Sequence, residues 1–155
     1  MPRESRMAEY RFLTTWIVDA ERPRVWHAIH EMTCWPDWWR GVVSVDALGD
    51  ERYRHTWRSV VPYAVRFDVH VTRVDEPRLM EGQATGELAG VGTWRLWGDR
   101  PTVVTYEWNV RTTRRWMNLL APFARPVFEW NHNAVMRRGG EGLARRLGTT
   151  LLARS

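Results

Sequence analysis

The chain has 155 residues, 44% hydrophobic and 26% charged, a length and composition that suit one globular domain with a sizeable core. The single cysteine, Cys34, excludes an internal disulfide, and no apolar run approaches the roughly 20 residues needed to span a bilayer. The charged start, Met1 to Met7, lacks the apolar region of a secretory signal, so a cytoplasmic location without stable membrane insertion is expected. The net charge of +5 arises from 23 basic residues, all arginine. They scatter along the chain without forming a stripe, so no nucleic-acid partner is expected. A more unusual feature is the presence of 11 tryptophans.

After a tail over Met1 to Ala8, Tyr10 to Val18 reads as a strand with Tyr10, Phe12, Thr14 and Trp16 on one face. Asp19 is a candidate helix cap and Pro23 suits a first turn, which predicts a helix over Glu21 to Met32 with Val25, Ala28, Ile29 and Met32 on its apolar side. A shorter helix holds Pro36, Asp37, Trp38 and Trp39 and stops at Gly41. Strands follow at hairpin spacing: Val42 to Leu48, Arg52 to Val60, Val65 to Val74, Leu79 to Leu88, Val91 to Gly98 and Thr102 to Thr112. Their alternation is clearest in Val65, Phe67, Val69, Val71 and in Val104, Tyr106, Trp108, Val110, which predicts an antiparallel sheet with one buried face.

From about Arg115 to Leu152 the chain reads as one long helix, with Phe128, His132, Val135, Met136, Gly139, Leu143, Leu147 and Leu151 on one face. Gly139, Gly140 and Gly142 fall in its middle, where each costs about 1 kcal/mol relative to alanine. Close packing on the sheet and space left for a ligand both explain them. Strands first and one long helix last define an α+β domain over residues 9 to 152, with residues 153 to 155 as a second tail.

Three stretches carry a family likeness. The first is Val25-Trp26-His27-Ala28-Ile29 with Trp35-Pro36-Asp37-Trp38-Trp39; the second is Gly86-Glu87-Leu88-Ala89-Gly90 leading into Gly92-Thr93-Trp94; the third is Trp130-Asn131-His132 with Val135-Met136-Arg137-Arg138-Gly139. In this order the sequence resembles the START-like (Bet v 1-like, SRPBCC) superfamily, and within it the polyketide cyclase/dehydrase and lipid-binding type. The resemblance implies a helix-grip fold, a curved antiparallel sheet of about seven strands around a long C-terminal helix, with two short helices after the first strand. It also implies a deep cavity between sheet and helix that takes a hydrophobic small molecule. Members include aromatase/cyclases and lipid carriers, so the fold leaves the activity open.

If the apolar faces point inward, the cavity takes Tyr53, Trp57, Phe67, Trp94 and Trp108 from the strands, Phe128 and Met136 from the helix, and Trp38 at the mouth. Whether these rings line a hollow or fill it is left open. His55 and His132 sit on apolar faces and, with the phenol of Tyr106 or Tyr53, are the acid-base candidates for enolising or dehydrating a polyketone; a buried structural histidine is the alternative for each. Asp68 and His70 alternate onto the solvent face, as do Glu107, Asn109 and Arg111. His27, His30 and Cys34 have helical spacing but no fourth ligand, so no metal and no cofactor is expected. Trp35, Trp38 and Trp39 either cover the pocket or anchor their helix. The chain contains no phosphate loop, dinucleotide fingerprint or nucleophile elbow, and it sets no oligomeric state. The functions left standing are a binder of a lipid- or polyketide-like molecule, a cyclase- or dehydrase-like enzyme, and a partner-regulating domain with a vestigial cavity.

Overall fold

The computed structural model describes residues 9–58, 64–113 and 121–155, the side chains of 121–124 excepted. The predicted leading tail, the strand end at Val60 and the helix start at Arg115 lie outside the described residues. Strand β1 (Glu9–Val18) leads into helix α1 (Arg22–His30), a 3-10 turn (Met32–Cys34) and helix α2 (Trp35–Trp38). Strands β2 (Val42–Gly49), β3 (Arg52–Arg58), β4 (Ala64–Asp75), β5 (Leu79–Gly86), β6 (Leu88–Trp97) and β7 (Thr102–Thr112) follow, then helix α3 (Ala121–Arg146) and strand β8 (Leu151–Arg154). All eight strands form one sheet in the order β2-β3-β4-β5-β6-β7-β1-β8, antiparallel at every pairing. This is the expected helix-grip α+β architecture. Among the described residues no helix is long and apolar enough to cross a membrane.

Several boundaries differ from the sequence reading, with α1 ending at His30, β6 beginning at Leu88 and an eighth strand added, and two of them change the local chemistry. Helix α1 is preceded by Glu21 at its N-cap, not Asp19, and has no side-chain cap; the Asp19 carboxylate instead accepts a hydrogen bond from Arg100 Nε at 3.2 Å. The last helix stops at Arg146, six residues short of Leu152. Gly148 adopts φ +63°, its N–H bonds the Arg145 carbonyl at 3.1 Å and the Thr149 N–H bonds that of Ala144 at 2.9 Å. These two bonds are those of a Schellman cap, which satisfies the terminal carbonyls and turns the chain away. Leu151, expected on the helix face, is therefore a strand residue. Residues 153 and 154, expected in the tail, pair with Ile17 and Trp16 of β1.

The mid-helix glycines of α3 are explained by close packing, but on tryptophans. A Cβ added at Gly139 would stand 2.4 Å from Trp39 Cε2, at Gly140 2.9 Å from Trp16 Nε1, and at Gly142 1.8 Å from the Trp38 carbonyl oxygen. Trp39 Nε1 donates to the Val135 carbonyl at 2.9 Å and fixes the seat. Around it Trp16, Trp39 and Trp94 pack with ring centroids 5.6 to 6.1 Å apart, and Leu143 closes the layer fully buried. Beneath the other half of α3 lies a second apolar cluster, with Tyr10, Phe67, Trp108 and Val110 buried and Phe12 and Phe128 packed against it. The aromatic interior is thus filled at one end of the helix and hollow at the other.

A candidate ligand cavity

The hollow follows from strand register. Alternation puts Tyr10 and Phe12 on the inner face of β1, opposite Val110 and Trp108 of β7. Trp108 in turn faces Gly92 of β6, and the space where a Gly92 side chain would project is taken by the Trp108 ring edge and the Tyr106 hydroxyl, each 2.9 Å from a Cβ placed there. A glycine opposite an indole lets the ring lie flat across the sheet.

Two chambers result. The outer one is walled by Tyr10 and Phe12 of β1, Val65 of β4, Leu88 of β6 and Val110 and Thr112 of β7, and roofed by Phe128, Asn131, His132, Val135 and Met136 of α3. Its atom-free space is about 860 Å³, open mouth included. The inner chamber is bounded by Met32, Trp35, His55, Val69, Val71, Met80, Gly82, Gly92 and Trp94, with about 410 Å³ by the same measure; its unobstructed part holds no more than a few waters. Trp57, Phe67, Tyr106 and Trp108 line both.

Of the residues singled out from sequence, His132, Phe128 and Met136 line the outer chamber, His55 and Trp94 the inner, and Tyr106, Trp57, Phe67 and Trp108 both. Trp38 and Tyr53 line neither. Trp38 stacks on Trp39 at 5.5 Å and underlies Gly142; Tyr53 packs half-buried on the filled core. Trp35 lines the inner chamber while its Nε1 donates to the Ile29 carbonyl of α1 at 3.0 Å; the tie from this segment to the long helix is made by Trp39. Tyr10, Phe12, Val65, Leu88 and Asn131 were not anticipated as cavity walls, although the Tyr10, Phe12, Thr14, Trp16 alternation marks the inner face of β1. On the outer face Asp68 pairs with Arg54 at 2.9 Å and Glu107 with Arg95 at 3.5 Å, as the solvent-face reading expects. His30 stacks on Trp26 at 5.4 Å.

The cavity electrostatics are set by burial. Desolvation pushes the His132 imidazole down to about 4, with Asn133 close enough to pull the other way. His132 stacks on Phe12 at 3.8 Å with 12° between the planes, and neither ring nitrogen has a partner at hydrogen-bonding geometry among the described residues. Burial likewise takes His55 down to about 4, against the opposing pull of Asp68, and raises the Tyr106 phenol. Among the described residues no Asp, Glu or Arg lines either chamber. Near neutral pH the walls are therefore uncharged: neutral imidazoles and a protonated phenol. A histidine that titrates near 4 is a weak base, and a phenol with a raised pKa is a weak acid. The arrangement suits hydrogen bonding to a neutral guest better than moving a proton. At the rim, the Arg125 guanidinium covers the Tyr10 ring at 4.6 Å.

No protein-family model and no curated protein matches the chain. Solved structures do. A conserved protein from Geobacillus kaustophilus superposes with a TM-score of 0.69 at 12% identity, covering 92% of this chain and 99% of that one. The Zhui aromatase/cyclase from a Streptomyces species gives 0.64 at 17% identity, covering 91% and 96%. The fold is the helix grip that these structures share. A di-domain aromatase/cyclase, StfQ of the steffimycin biosynthetic pathway, gives 0.63 at 15% identity, and this chain covers 54% of its length. At these identities the likeness to START-like proteins is one of fold, and the chemistry has to be argued from the cavity.

Proposed function

We propose that this START-like domain binds an uncharged apolar or aromatic small molecule, of lipid- or polyketide-like character, in the outer chamber beneath α3, and releases it unchanged. The observation that carries the reading is the outer chamber itself: aromatic and aliphatic on nearly every side, free of charged side chains among the described residues, and holding the buried His132 imidazole, whose nitrogens make no well-formed hydrogen bond within those residues. Small-molecule sites have this composition, mostly apolar with a few polar groups that fix orientation. The buried nitrogens leave a hydrogen-bonding need that a guest meets.

The second reading is an aromatase/cyclase-like enzyme in which Tyr106, His55 and His132 handle protons. Aromatase/cyclases among the structural neighbours favour it, as does the position of Tyr106 on both chambers. The low basicity of the two histidines counts against it.

Native mass spectrometry of freshly purified protein tests the first reading. A bound mass that disappears on denaturation is the expected result. A bare chain that no uncharged aromatic or acyl compound stabilises against heat would refute it and favour a partner-regulating domain. Loss of water from a poly-β-ketone incubated with the protein, abolished in Tyr106→Phe, would move the assignment to the enzyme.

A further inference from the structure

The inner chamber has a chemistry of its own. His55 is 2% exposed and lies flat on Phe67, with centroids 5.2 Å apart and 8° between the planes. Trp57 Nε1 donates to His55 Nδ1 at 3.2 Å. An indole nitrogen is only ever a donor, so Nδ1 has to accept, which makes the ring neutral with its proton on Nε2. That Nε2–H has no acceptor among the described residues. Val69 and Val71 in the walls offer none, the Met32 and Met80 thioethers are at most weak acceptors, and the Trp35 indole N–H is itself a donor.

From this we infer that the inner chamber recognises an uncharged acceptor oxygen, the carbonyl of a ketone, ester or amide, on an apolar ligand whose body lies in the outer chamber. His55 Nε2–H is the donor, and Trp57, which touches both chambers, is the positioning residue that fixes the tautomer. The inference rests on the outer-chamber reading and sharpens its ligand class. A carboxylate is disfavoured because no cation among the described residues lines the chamber to offset desolvation. An alcohol would bring an O–H that also needs an acceptor, which the Tyr106 hydroxyl would have to supply, whereas a carbonyl needs only the donor that His55 offers. The unobstructed space fits a carbonyl group but not an aromatic body, which places the ring system on the outer side of Trp57, Phe67, Tyr106 and Trp108.

The test compares two probes of nearly equal shape, 2-acetylnaphthalene and 2-ethylnaphthalene, by calorimetry, with the infrared carbonyl stretch of the bound ketone as a second readout. The wild-type protein is expected to bind the ketone about tenfold more tightly than the hydrocarbon and to shift its carbonyl stretch to lower frequency. His55→Phe should bring the ratio to about one, and His55→Gln, which can still offer an N–H, should retain most of the preference. If His55→Phe does not fold, the wild-type ratio and the infrared shift decide alone. Equal binding of both probes with an unshifted carbonyl overturns the inference and leaves the outer-chamber reading standing. Binding of neither removes both. A nitrogen-15 spectrum with the His55 proton on Nδ1 also overturns it.

Discussion

Replacing Gly142 with alanine is expected to destabilise the domain, the opposite of what helix propensity predicts. In a helix interior, alanine gains about 1 kcal/mol over glycine. Here the new Cβ would stand 1.8 Å from the Trp38 carbonyl oxygen. Both partners are fixed to the backbone, so no rotamer relieves the clash. Restoring an ordinary C···O separation of about 3.3 Å requires α3 to lift from α2 by about 1.5 Å. That movement breaks the 2.9 Å hydrogen bond from Trp39 to Val135, leaving a buried N–H unpaired at about 1–3 kcal/mol, and the strained packing adds about 1–3 kcal/mol. Net of the propensity gain, Gly142→Ala should lose about 3 kcal/mol, or roughly 6–12 °C in Tm for a domain of this size. Urea unfolding followed by tryptophan fluorescence and far-ultraviolet dichroism gives the midpoint and slope together. A variant as stable as wild type, or more stable by the propensity difference alone, would mean that α3 does not sit on the Trp38 backbone.

Acid should weaken the fold through its two buried histidines. His55 and His132 titrate near 4 when folded against 6.5 ordinarily, so between those values the unfolded chain binds more protons and stability rises with pH. Each contribution, up to about 3 kcal/mol, is fully present above about pH 6.5 and is lost as pH falls through that window toward 4. Unfolding midpoints that do not change between pH 7 and 4.5 would contradict this. Trp39→Phe keeps a ring but loses the bond to Val135 and should cost about 2 kcal/mol, read from the same unfolding curves; an unchanged midpoint would mean the bond contributes nothing. His132→Leu removes two unpartnered nitrogens and should stabilise the domain by about 1 kcal/mol or more. It should also weaken binding of the molecule released in native mass spectrometry. A loss of stability would instead give His132 a structural partner.

What could be read from the sequence was the part governed by period. The alternation of β4 and β7 fixed their inner faces, and the order of elements fixed the architecture. The end of α3 was obscured because Leu143, Leu147 and Leu151 continue a four-residue spacing past Gly148, and only that glycine with the β-branched Thr149 and Thr150 marks the turn into β8. Asp19 looked like a cap because cap preference is local, while its partner, Arg100, lies far along the chain. Within the cavity, face assignment identified most of the rings but could not separate two chambers, since Trp57, Phe67, Tyr106 and Trp108 touch both. Trp38 and Tyr53 have the right composition for a wall, yet α2 turns Trp38 toward Gly142 and Tyr53 packs on the filled core. The glycine pattern in α3 became interpretable only with three tryptophans from other elements beside it.

The position of β1 constrains the order in which the molecule is built. Its neighbours in the sheet are β7 and β8, with Val18 opposite Thr102 and Trp16 opposite Arg154, so every rung of its ladders closes a very long loop. Such topologies fold slowly, because the entropy of closure is lost before distant contacts compensate. Tyr10 and Phe12 lack their partners Val110, Trp108, Phe128 and His132 in the nascent chain until its final third arrives. The outer chamber is consequently among the last parts to assemble, and a chain truncated before β7 lacks the strand that walls it.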